Sequence, residues 1–408
     1  MTTQEQHIPA LRFPEFSGEW EDQRLGQLFP RIRNGFVGTA TPFYQKDGIA
    51  YLQGKNIKSG KIDPTNLVEI SPLFHDKQKK SQLKENDILM VQSGHVGECA
   101  VVTKEYEGSN CHALVVMSPE KNVNSVFIKE LFYAVSGLRQ IYRITTGNTI
   151  KHILTSDLKP LLVKIPILLE QQKIASFLSS VDTKIEQLST RKSLLEQYKK
   201  GMMQKLFSQE IRFKDEQGNE YPDWEEKRLK SIGVLKGGGT PDTNQSKYWA
   251  GEIPWVSSSD IFEQSIHRIR ISRYINSDAI SNSATKIIPK NSILIVSRVG
   301  VGKFAVNPEK VCTSQDFSNF TPNQDNVFFI AYWLLTHKNK LLSLCQGTSI
   351  KGLTISDLCA LKIEIPIKDE QQKIADFLSA IDKKIELAGI ELEKAQSFKK
   401  GLLQQMFI

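Results

Sequence analysis

Cysteine, histidine and long hydrophobic runs are all scarce in this chain. Its 408 residues include only five cysteines and seven histidines, and no two cysteines form a CxxC pair. A zinc site or a disulfide framework is therefore not expected, and reduced thiols in the cytoplasm are the simplest interpretation. No segment approaches the roughly 20 apolar residues that a membrane helix needs, and the first residues lack the basic head and apolar run of a secretory signal. The sequence predicts neither a membrane protein nor a secreted one.

Motifs that carry catalytic chemistry are missing as well. The chain has no GxxxxGK[ST] phosphate loop, no GxSxG nucleophile elbow and no HExxH metal helix. The FxGxG and (N/D)PP(Y/F) motifs that an amino-methyltransferase would carry are absent too. Residues 300–303 come nearest to a phosphate loop, but phenylalanine follows them, and we interpret them as a turn after a strand. These absences predict a chain that is not itself a catalyst and that binds no metal or cofactor.

Positive charge is present in modest excess. The net charge is +8, but the surplus lysines and arginines are spread along the chain and form no polybasic tail. A mildly basic chain fits a nucleic-acid binder whose partners add further positive charge. It fits many unrelated proteins equally well, so charge alone does not decide the function.

The most informative feature of the sequence is an internal repeat. Residues 147–186 align with residues 347–386 at an offset of 200, and 23 of these 40 positions are identical. Residues 20–25 match residues 224–229 at an offset of 204, and residues 88–100 match residues 293–305 at an offset of 205. Such agreement along the whole chain indicates a tandem duplication, which has to be recognised before the architecture is interpreted.

Each repeat ends in a pattern that predicts a long helix. Apolar residues recur at alternating spacings of three and four from residue 174 to 206 and from residue 374 to 406, as in a coiled-coil seam. A helix from about Glu170 to Leu206 would be roughly 55 Å long. Such a seam has to be buried, and the helix of the other repeat is the obvious partner. We expect the seam to include the aromatic residues Phe177, Tyr198, Phe377 and Phe398.

The regions before these helices have the composition of strands and loops. Runs rich in valine and isoleucine, such as residues 87–91 and 292–296, alternate with clusters of glycine, asparagine, serine and proline. The sequence therefore predicts an α+β protein with strand-rich globular domains over residues 1–165 and 209–365, and long helices over residues 166–208 and 366–408. Residues that the repeats share should serve the scaffold or a common partner, whereas residues that differ should serve two different ligands.

Three groups of residues together resemble the specificity subunit of type I restriction–modification enzymes, over essentially the whole chain. The first is the pair of EQQKIxxFLSxxDxKI segments that follow Ile165-Pro166 and Ile365-Pro366. The second is the pair of Gly-x-x-Ile-Lys segments at Gly147 and Gly347. The third is the block from Gly238 to Val256, which is similar to the opening of a target recognition domain in that family.

The resemblance implies an architecture and a division of labour. Two target recognition domains would be separated by two long antiparallel coiled-coil helices with pseudo-twofold symmetry. Each domain would recognise one half of a bipartite site in double-stranded DNA, and the helices would set the gap between the halves. Two methyltransferase subunits and the restriction or translocase subunits would be the partners, and S-adenosylmethionine, ATP and Mg would be bound by them rather than by this chain.

Candidate DNA contacts are polar and basic residues of the globular regions, because lysine and arginine suit phosphates and guanine, and amides suit adenine. In the first domain they are Arg31, Arg33, Asn34, Lys55, Asn56, Lys58, Gln92, Ser93 and His95. In the second they are Lys236, Thr240, Lys247, Ser257, Ser258, Ser259, Arg298 and Lys303. The equivalent lysines Lys151 and Lys351 are better suited to phosphates than to bases. An ordinary solvated position remains the alternative for each.

Candidate residues for docking the methyltransferase are polar positions that both long helices share. They are Glu170, Gln171, Gln172, Lys173, Lys199 and Lys200, with Glu370, Gln371, Gln372, Lys373, Lys399 and Lys400. Two other interpretations of the chain stay open at this point. It could be a stand-alone sequence-specific DNA-binding protein, or a tandem-repeat scaffold that binds only other proteins.

Overall fold

The computed structural model describes residues 7–345 and 352–408, which form two compact units. The first unit contains residues Met1–Ser189 together with Ile390–Ile408, and the second contains Thr190–Gly389. Each unit therefore includes the first part of one long helix and the last part of the other. Candidate Lys351, with Gly347 of the repeated motif, lies outside the described residues.

The first repeat combines short strands with helices. Its strands are β1 (Glu21–Arg24), β2 (Arg31–Asn34), β3 (Tyr44–Leu52), β4 (Ile57–Lys58), β5 (Lys61–Ile62), β6 (Val68–Ile70), β7 (Ile88–Val91), β8 (Cys99–Val101), β9 (Asn110–Cys111), β10 (Leu114–Ser118) and β11 (Leu162–Ile165). Its α-helices are α1 (Leu25–Leu28), α2 (Pro72–Lys77), α3 (Ser125–Tyr133), α4 (Val135–Ile144), α5 (Thr155–Leu158) and α6 (Leu168–Phe207).

Three sheets and a hairpin organise this repeat. An antiparallel sheet has the order β2-β10-β7-β8, a second sheet has the order β6-β3-β9 with β9 parallel to β3, β1 pairs with β11, and β4 with β5 forms the hairpin. All four residues of β7 are buried, because the sheet is covered by a hydrophobic cluster on each face. That burial explains why β7 is a continuous apolar run rather than an alternating one.

The second repeat follows the same plan. Its strands are β12 (Glu225–Arg228), β13 (Gly233–Gly237), β14 (Ile253–Val256), β15 (Arg273–Ile275), β16 (Ile287–Ile288), β17 (Ile293–Val296), β18 (Phe304–Val306), β19 (Val311–Thr313), β20 (Phe317–Pro322) and β21 (Lys362–Ile365). Its α-helices are α7 (Leu229–Ile232), α8 (Ser277–Ser281), α9 (Val327–Thr336), α10 (Lys338–Ser343), α11 (Ile355–Ala360) and α12 (Lys368–Gln405). The sheet β13-β20-β17-β18 corresponds to β2-β10-β7-β8, and β12 pairs with β21 as β1 pairs with β11. The prediction of an α+β protein with an internal repeat is confirmed.

The two long helices also agree with the sequence prediction. Helix α6 has 40 residues and α12 has 38, and each begins two residues after its proline. In the first unit, Lys399 of α12 reaches Asp182 of α6, with 2.7 Å between Nζ and Oδ1. In the second unit, Lys199 of α6 reaches Asp382 of α12 at 2.6 Å. Within each unit the end of one helix thus runs antiparallel to the start of the other.

The predicted helix seam is wrong at two aromatic positions. Phe177 and Phe377 are half-buried against the cores, but Tyr198 is 51% exposed and Phe398 is 56% exposed. The reason is the neighbouring lysine, whose ammonium group turns inward to its aspartate. Successive helix residues are about 100° apart around the axis, so burial at residue 199 directs residue 198 outward.

A third side chain, a carboxylate in the first unit and a phenol in the second, contacts each of these lysine–aspartate ion pairs. In the first unit, Lys399 also contacts the fully buried Glu130 of α3, with 3.0 Å between Nζ and Oε2. In the second, Tyr332 of α9 takes this place and donates to Asp382 at 2.5 Å. Burial opposes ionisation of Asp382, but hydrogen bonds and charge from its neighbours His267, Lys199 and Tyr332 outweigh it and lower the pKa of this carboxyl. The ion pair therefore ties the globular part of each unit to both long helices.

A buried carboxylate near the start of each long helix fixes the preceding chain. The Arg12 guanidinium binds both oxygens of Glu170, at 2.8 and 2.7 Å, and the indole N–H of Trp20 donates to the same carboxylate. Arg212 binds Glu370 in the same way in the second unit. Both carboxylates are almost inaccessible to water, so each depends on its arginine.

The substitution Arg12→Met should therefore destabilise the protein markedly. It leaves Glu170 buried without a counter-charge, which costs about 3 kcal/mol of unfolding free energy in comparable sites. The double variant Arg12→Met/Glu170→Gln should recover part of the loss, because an amide carries no charge and still accepts from Trp20. Urea denaturation followed by fluorescence measures the effect. Lys58→Met, which removes an exposed ion pair to Asp63, is the control and should change little. Equal stability of the Arg12 and Lys58 variants would contradict the assigned role of Glu170.

Candidate nucleic-acid interface

Two equivalent glycine loops connect the central strands of the repeats. The loop between β7 and β8 spans residues 92–98, and the loop between β17 and β18 spans residues 297–303. Each contains two glycines with positive φ, Gly94 (84°) and Gly97 (92°) in the first and Gly300 (90°) and Gly302 (91°) in the second. Other residues rarely adopt this conformation, so these glycines are needed by the turns. The earlier interpretation of residues 300–303 as a strand-end turn is confirmed.

The first loop is held against the segment that follows Gly147. Ser93 Oγ and His152 Nδ1 share a hydrogen bond of 2.6 Å, and the Ile153 amide donates to the Gln92 carbonyl at 3.0 Å. The Gly94 amide also donates to the carbonyl of Lys151. The structure therefore brings the predicted residues Gln92, Ser93 and Lys151 into one place, and the side chains of Ser93 and Lys151 are exposed there. His95 is exposed at the tip of the same loop.

In the first domain, Arg31 and Arg33 lie on the same strand but serve different purposes. Arg31 and Asn34 are exposed. Arg33 is not available to DNA, because its guanidinium binds the buried Asp87 at 3.1 Å and two backbone carbonyls. The candidate role of Arg33 is therefore wrong, since a buried carboxylate in the fold already uses its charge.

The turn before β4 contains a second structural residue among the candidates. Asn56 is completely buried: its amide nitrogen donates to the Asp63 carbonyl at 3.0 Å and its oxygen accepts from the Gln53 amide at 3.1 Å. It closes the turn and cannot contact a base, so this candidate is wrong too. Lys55 and Lys58 are exposed, although Lys58 forms an ion pair with Asp63.

The serine turn of the second domain forms a network with an arginine. Ser257 Oγ donates to Asp260 at 2.8 Å and accepts from Arg273 at 2.6 Å, and Ser259 Oγ lies 2.9 Å from it. Burial of Asp260 opposes its ionisation, but the bonds from Ser257 and Arg273 lower the pKa of this carboxyl. The Ser258 carbonyl accepts from Lys303 at 3.5 Å, which connects this turn to the second glycine loop.

The remaining candidates of the second domain are accessible. Arg298 is exposed in the glycine loop, and Lys236 is exposed on β13. Lys247 is exposed beside the ring of Tyr248, and Thr240 is half-buried with a hydrogen bond to Gln315. Arg298 and Lys236 form no ion pair within the described part of the chain.

Two arginines of the second domain were missed by the sequence analysis. Arg268 and Arg270 lie over the same ring of Phe262, at 4.6 and 5.7 Å from its centroid, and both are exposed. The aromatic face holds each guanidinium and leaves its N–H groups accessible. Alternation of arginine with isoleucine over residues 268–271 was the available signal, but no repeat match drew attention to it.

Among the docking candidates, Glu170, Gln171, Glu370 and Gln371 are buried, so their predicted outward orientation is wrong. Besides the bonds of the glutamates to arginine, Gln171 accepts from the Asn124 amide at 2.9 Å and donates to the Pro166 carbonyl at 2.9 Å. Gln371 makes the corresponding bonds in the second unit. These residues are identical in both repeats because the fold needs them.

The lysines of the long helices separate into two groups. Lys199 and Lys399 form ion pairs with half-buried aspartates of the other long helix, which gives both lysines a role in the fold, and their docking role stays a prediction. Lys173 pairs with Glu15, and Lys373 donates to the carbonyl of Lys214. Gln172, Lys200, Gln372 and Lys400 are exposed, and neither Lys200 nor Lys400 forms an ion pair in the part of the chain that the structure covers.

The described residues contain no cluster of histidine, cysteine or acidic side chains suited to a metal ion. Burial raises the pKa of the Cys111 thiol to about 12. No helix within residues 7–345 and 352–408 has the length and apolarity needed to span a membrane.

Comparison with known proteins gives a consistent result for both repeats. A family model described as the type I restriction modification DNA specificity domain matches residues 17–197 and 221–395. A candidate specificity subunit of the type I restriction enzyme MjaX from Methanocaldococcus jannaschii is 28% identical over 419 positions, which cover 98% of this chain and 95% of that protein. The MjaIX specificity subunit of the same organism is 33% identical over 207 residues, 50% of this chain and 48% of that protein.

A solved structure shares the fold. The S subunit of a type I restriction–modification system from M. genitalium aligns with a TM-score of 0.65 at 18% identity, covering 98% of this chain and 99% of that one. Since the family model accounts for most of both repeats, the chain belongs to the type I restriction–modification specificity family, whose members are non-catalytic specificity subunits.

Proposed function

We propose that this chain recognises a bipartite, asymmetric target in double-stranded DNA, with one globular domain for each half. The observation that carries the proposal is the contrast between the two glycine loops. The loops have the same length, lie between equivalent strands and share one glycine with positive φ, Gly97 in the first and Gly302 in the second. Most of their other residues differ: QSGHVGE over residues 92–98 and SRVGVGK over residues 297–303. One frame that presents two different sets of side chains suits two different half-sites.

The exposed groups have the chemistry that base recognition requires. Arg298 is an unpaired guanidinium in the second loop and suits the two acceptors of guanine. The exposed Asn34 and the half-buried Gln92 can make the paired hydrogen bonds that adenine offers. Lys55, Lys151, Lys236 and Lys247 suit phosphates, which set the register of the protein on DNA.

The surface of the long helices supports docking of two methyltransferase subunits. The repeats share residues 170–173 and 199–201, whereas none of the residues 187–198 matches its equivalent in 387–398. Near the end of each long helix lies a strip of exposed residues next to a half-buried glycine: Tyr198, Lys200 and Gly201 on α6, and Phe398, Lys400 and Gly401 on α12. The two glycines have no packing reason within the fold, because a Cβ at either would meet nothing within 4 Å.

Glycine inside a helix costs about 1 kcal/mol relative to alanine. Its presence at both equivalent positions is explained if a partner approaches the helix backbone there. The unmatched central residues would then act only as a spacer that sets the gap in the target. Restriction subunits would join this core, and S-adenosylmethionine, ATP and Mg would be bound by the partners.

Binding experiments with and without the partner separate this function from a stand-alone DNA-binding protein. The chain with its cognate methyltransferase subunits should bind a two-part target that is first identified by methylome sequencing of cells expressing the complex. The isolated chain should bind that duplex without full specificity in gel shifts. Full specificity of the isolated chain would favour the stand-alone alternative, and no DNA binding in either condition would leave a protein scaffold.

Replacing Arg298 with glutamine should relax recognition in one half-site only. Loss of a guanidinium that pairs with guanine costs about 1–3 kcal/mol of discrimination at that base pair. Competition binding of single-base target variants to the complex measures this preference at every position. Arg228→Gln removes an exposed arginine from β12 and is the matched control. A uniform loss of affinity, with preferences at all positions retained, would assign Arg298 to a phosphate instead.

Gly201→Leu should remove one of the two methyltransferase subunits, and Gly201→Leu/Gly401→Leu should remove both. The added side chains enter open space and favour the helix, so the fold is retained while close approach of a partner is blocked. Native mass spectrometry gives the number of bound subunits. Thr190→Leu is the control, because the equivalent Ile390 is already an exposed aliphatic residue on α12. Full occupancy in the double variant would exclude this strip as the docking site.

A further inference from the structure

Helix α4 of the first unit has an exposed apolar surface outside the glycine loop and the long helices. Its inner face, Gly137 and Ile141, is buried. Its outer face carries Val135, Leu138 and Tyr142, which are 38%, 49% and 71% exposed. Side chains four residues apart are neighbours on a helix, so these apolar groups form one row. A row of exposed apolar side chains on one helix is a candidate interaction surface.

A row of positive charge runs beside the apolar row. Arg139 and Arg143 are exposed and spaced by one helical turn, and the ammonium of Lys151 lies 4.9 Å from the centroid of the Tyr142 ring. None of these three cations forms an ion pair in the part of the chain that the structure describes. Three unpaired like charges on one surface repel each other, and a ligand with several negative charges removes that repulsion.

The surface continues directly from the first glycine loop. Gly97 lies so close to α4 that a Cβ there would be 2.9 Å from Cγ2 of Ile141. Lys151, whose ammonium covers Tyr142, also accepts a hydrogen bond from Gly94 through its carbonyl. A DNA duplex that reaches Ser93 and His95 at the loop would therefore pass beside α4.

Among the residues that the structure describes, the second repeat does not show this arrangement; Lys351, the equivalent of Lys151, lies outside them. Helix α10 follows α9 as α4 follows α3, but its Lys338 is paired with Glu263 at 2.7 Å and its Lys340 lies over Trp333. On α10, therefore, one lysine is neutralised by a glutamate and the other is held over an aromatic ring, whereas both arginines of α4 are unpaired. A surface for a partner that docks in two equivalent copies would be expected in both repeats, whereas a surface for one DNA half-site would not.

We propose that Arg139, Arg143 and Lys151 bind phosphates of the DNA backbone next to the half-site read by the first domain, with Leu138 and Tyr142 packed on the adjoining sugars. The proposal rests on the proposed function and deepens it. The guanidiniums and the ammonium act as donors to phosphate oxygens, which fix register without carrying sequence information. The surface should therefore contribute to affinity for every duplex.

The test uses the full chain in complex with its methyltransferase subunits. The variant is Arg139→Gln/Arg143→Gln, and the probes are a duplex with the methylome-derived target and a duplex with both half-sites scrambled. Affinity should fall by the same factor, on the order of tenfold at low salt, for both duplexes. The slope of log Kd against log salt should decrease by about two, and the target preference should remain. Arg24→Gln/Arg228→Gln removes two exposed arginines elsewhere and should change neither quantity.

Three outcomes would overturn the proposal. An unchanged salt slope with normal DNA binding refutes the phosphate contacts and leaves the proposed function intact. Loss of preference at one base pair would make these arginines base readers. If Leu138→Gln and Arg139→Gln/Arg143→Gln both reduce methyltransferase binding and leave DNA affinity unchanged, the surface is a protein contact. Absence of DNA binding by the unmodified complex would refute the proposed function itself.

Discussion

An ion pair between a lysine near the end of one long helix and an aspartate near the start of the other is the contact on which each unit depends. Lys399 reaches Asp182 in the first unit and Lys199 reaches Asp382 in the second. Removing these charges from water is costly, and the pair stabilises only if the geometry is good and further bonds complete it. Glu130 of α3 in the first unit and Tyr332 of α9 in the second complete it. Within each unit the ion pair therefore lies where three helices meet, and the helix segments of that unit cannot shift along each other without breaking it.

This constraint explains which predictions from the sequence succeed and which fail. The repeat, the long helices and the buried central strands follow from periodicity and from self-comparison, because burial leaves a regular apolar pattern. A residue that is identical in both repeats can serve either the fold or a common partner, whereas apolar periodicity indicates burial alone. Glu170 and Gln171 are shared because they bind Arg12 and Asn124, and the sequence cannot separate that reason from contact with a common partner. The two reasons can be distinguished only in the three-dimensional structure, which brings together residues more than 40 positions apart in the sequence.

The same limit applies to the DNA candidates. Arg31 and Arg33 are equivalent as residue types, and both lie on β2. Only the fold shows that Asp87 binds Arg33, and that Asn56 closes a turn instead of facing solvent. Conversely, Arg268 and Arg270 gain significance only because the Phe262 ring holds both guanidiniums. Short-range patterns indicate which residues could contact DNA, and long-range contacts decide which of them are free to do so.

The distribution of these contacts supports the proposal that one scaffold serves two different DNA half-sites. Residues that hold a unit together, such as Arg12 and Lys399, contact the long helices, and a change in one of them requires a change in its buried partner. Residues at the tips of the glycine loops, such as His95 and Arg298, are exposed and form no ion pair among the residues described. Their substitution alters the surface offered to DNA without leaving a buried charge unpaired. Substitutions therefore lower the stability of the fold at one set of residues and alter the DNA-facing surface at another. For this reason the loops of the two repeats can diverge while the helix ends that secure the fold remain alike.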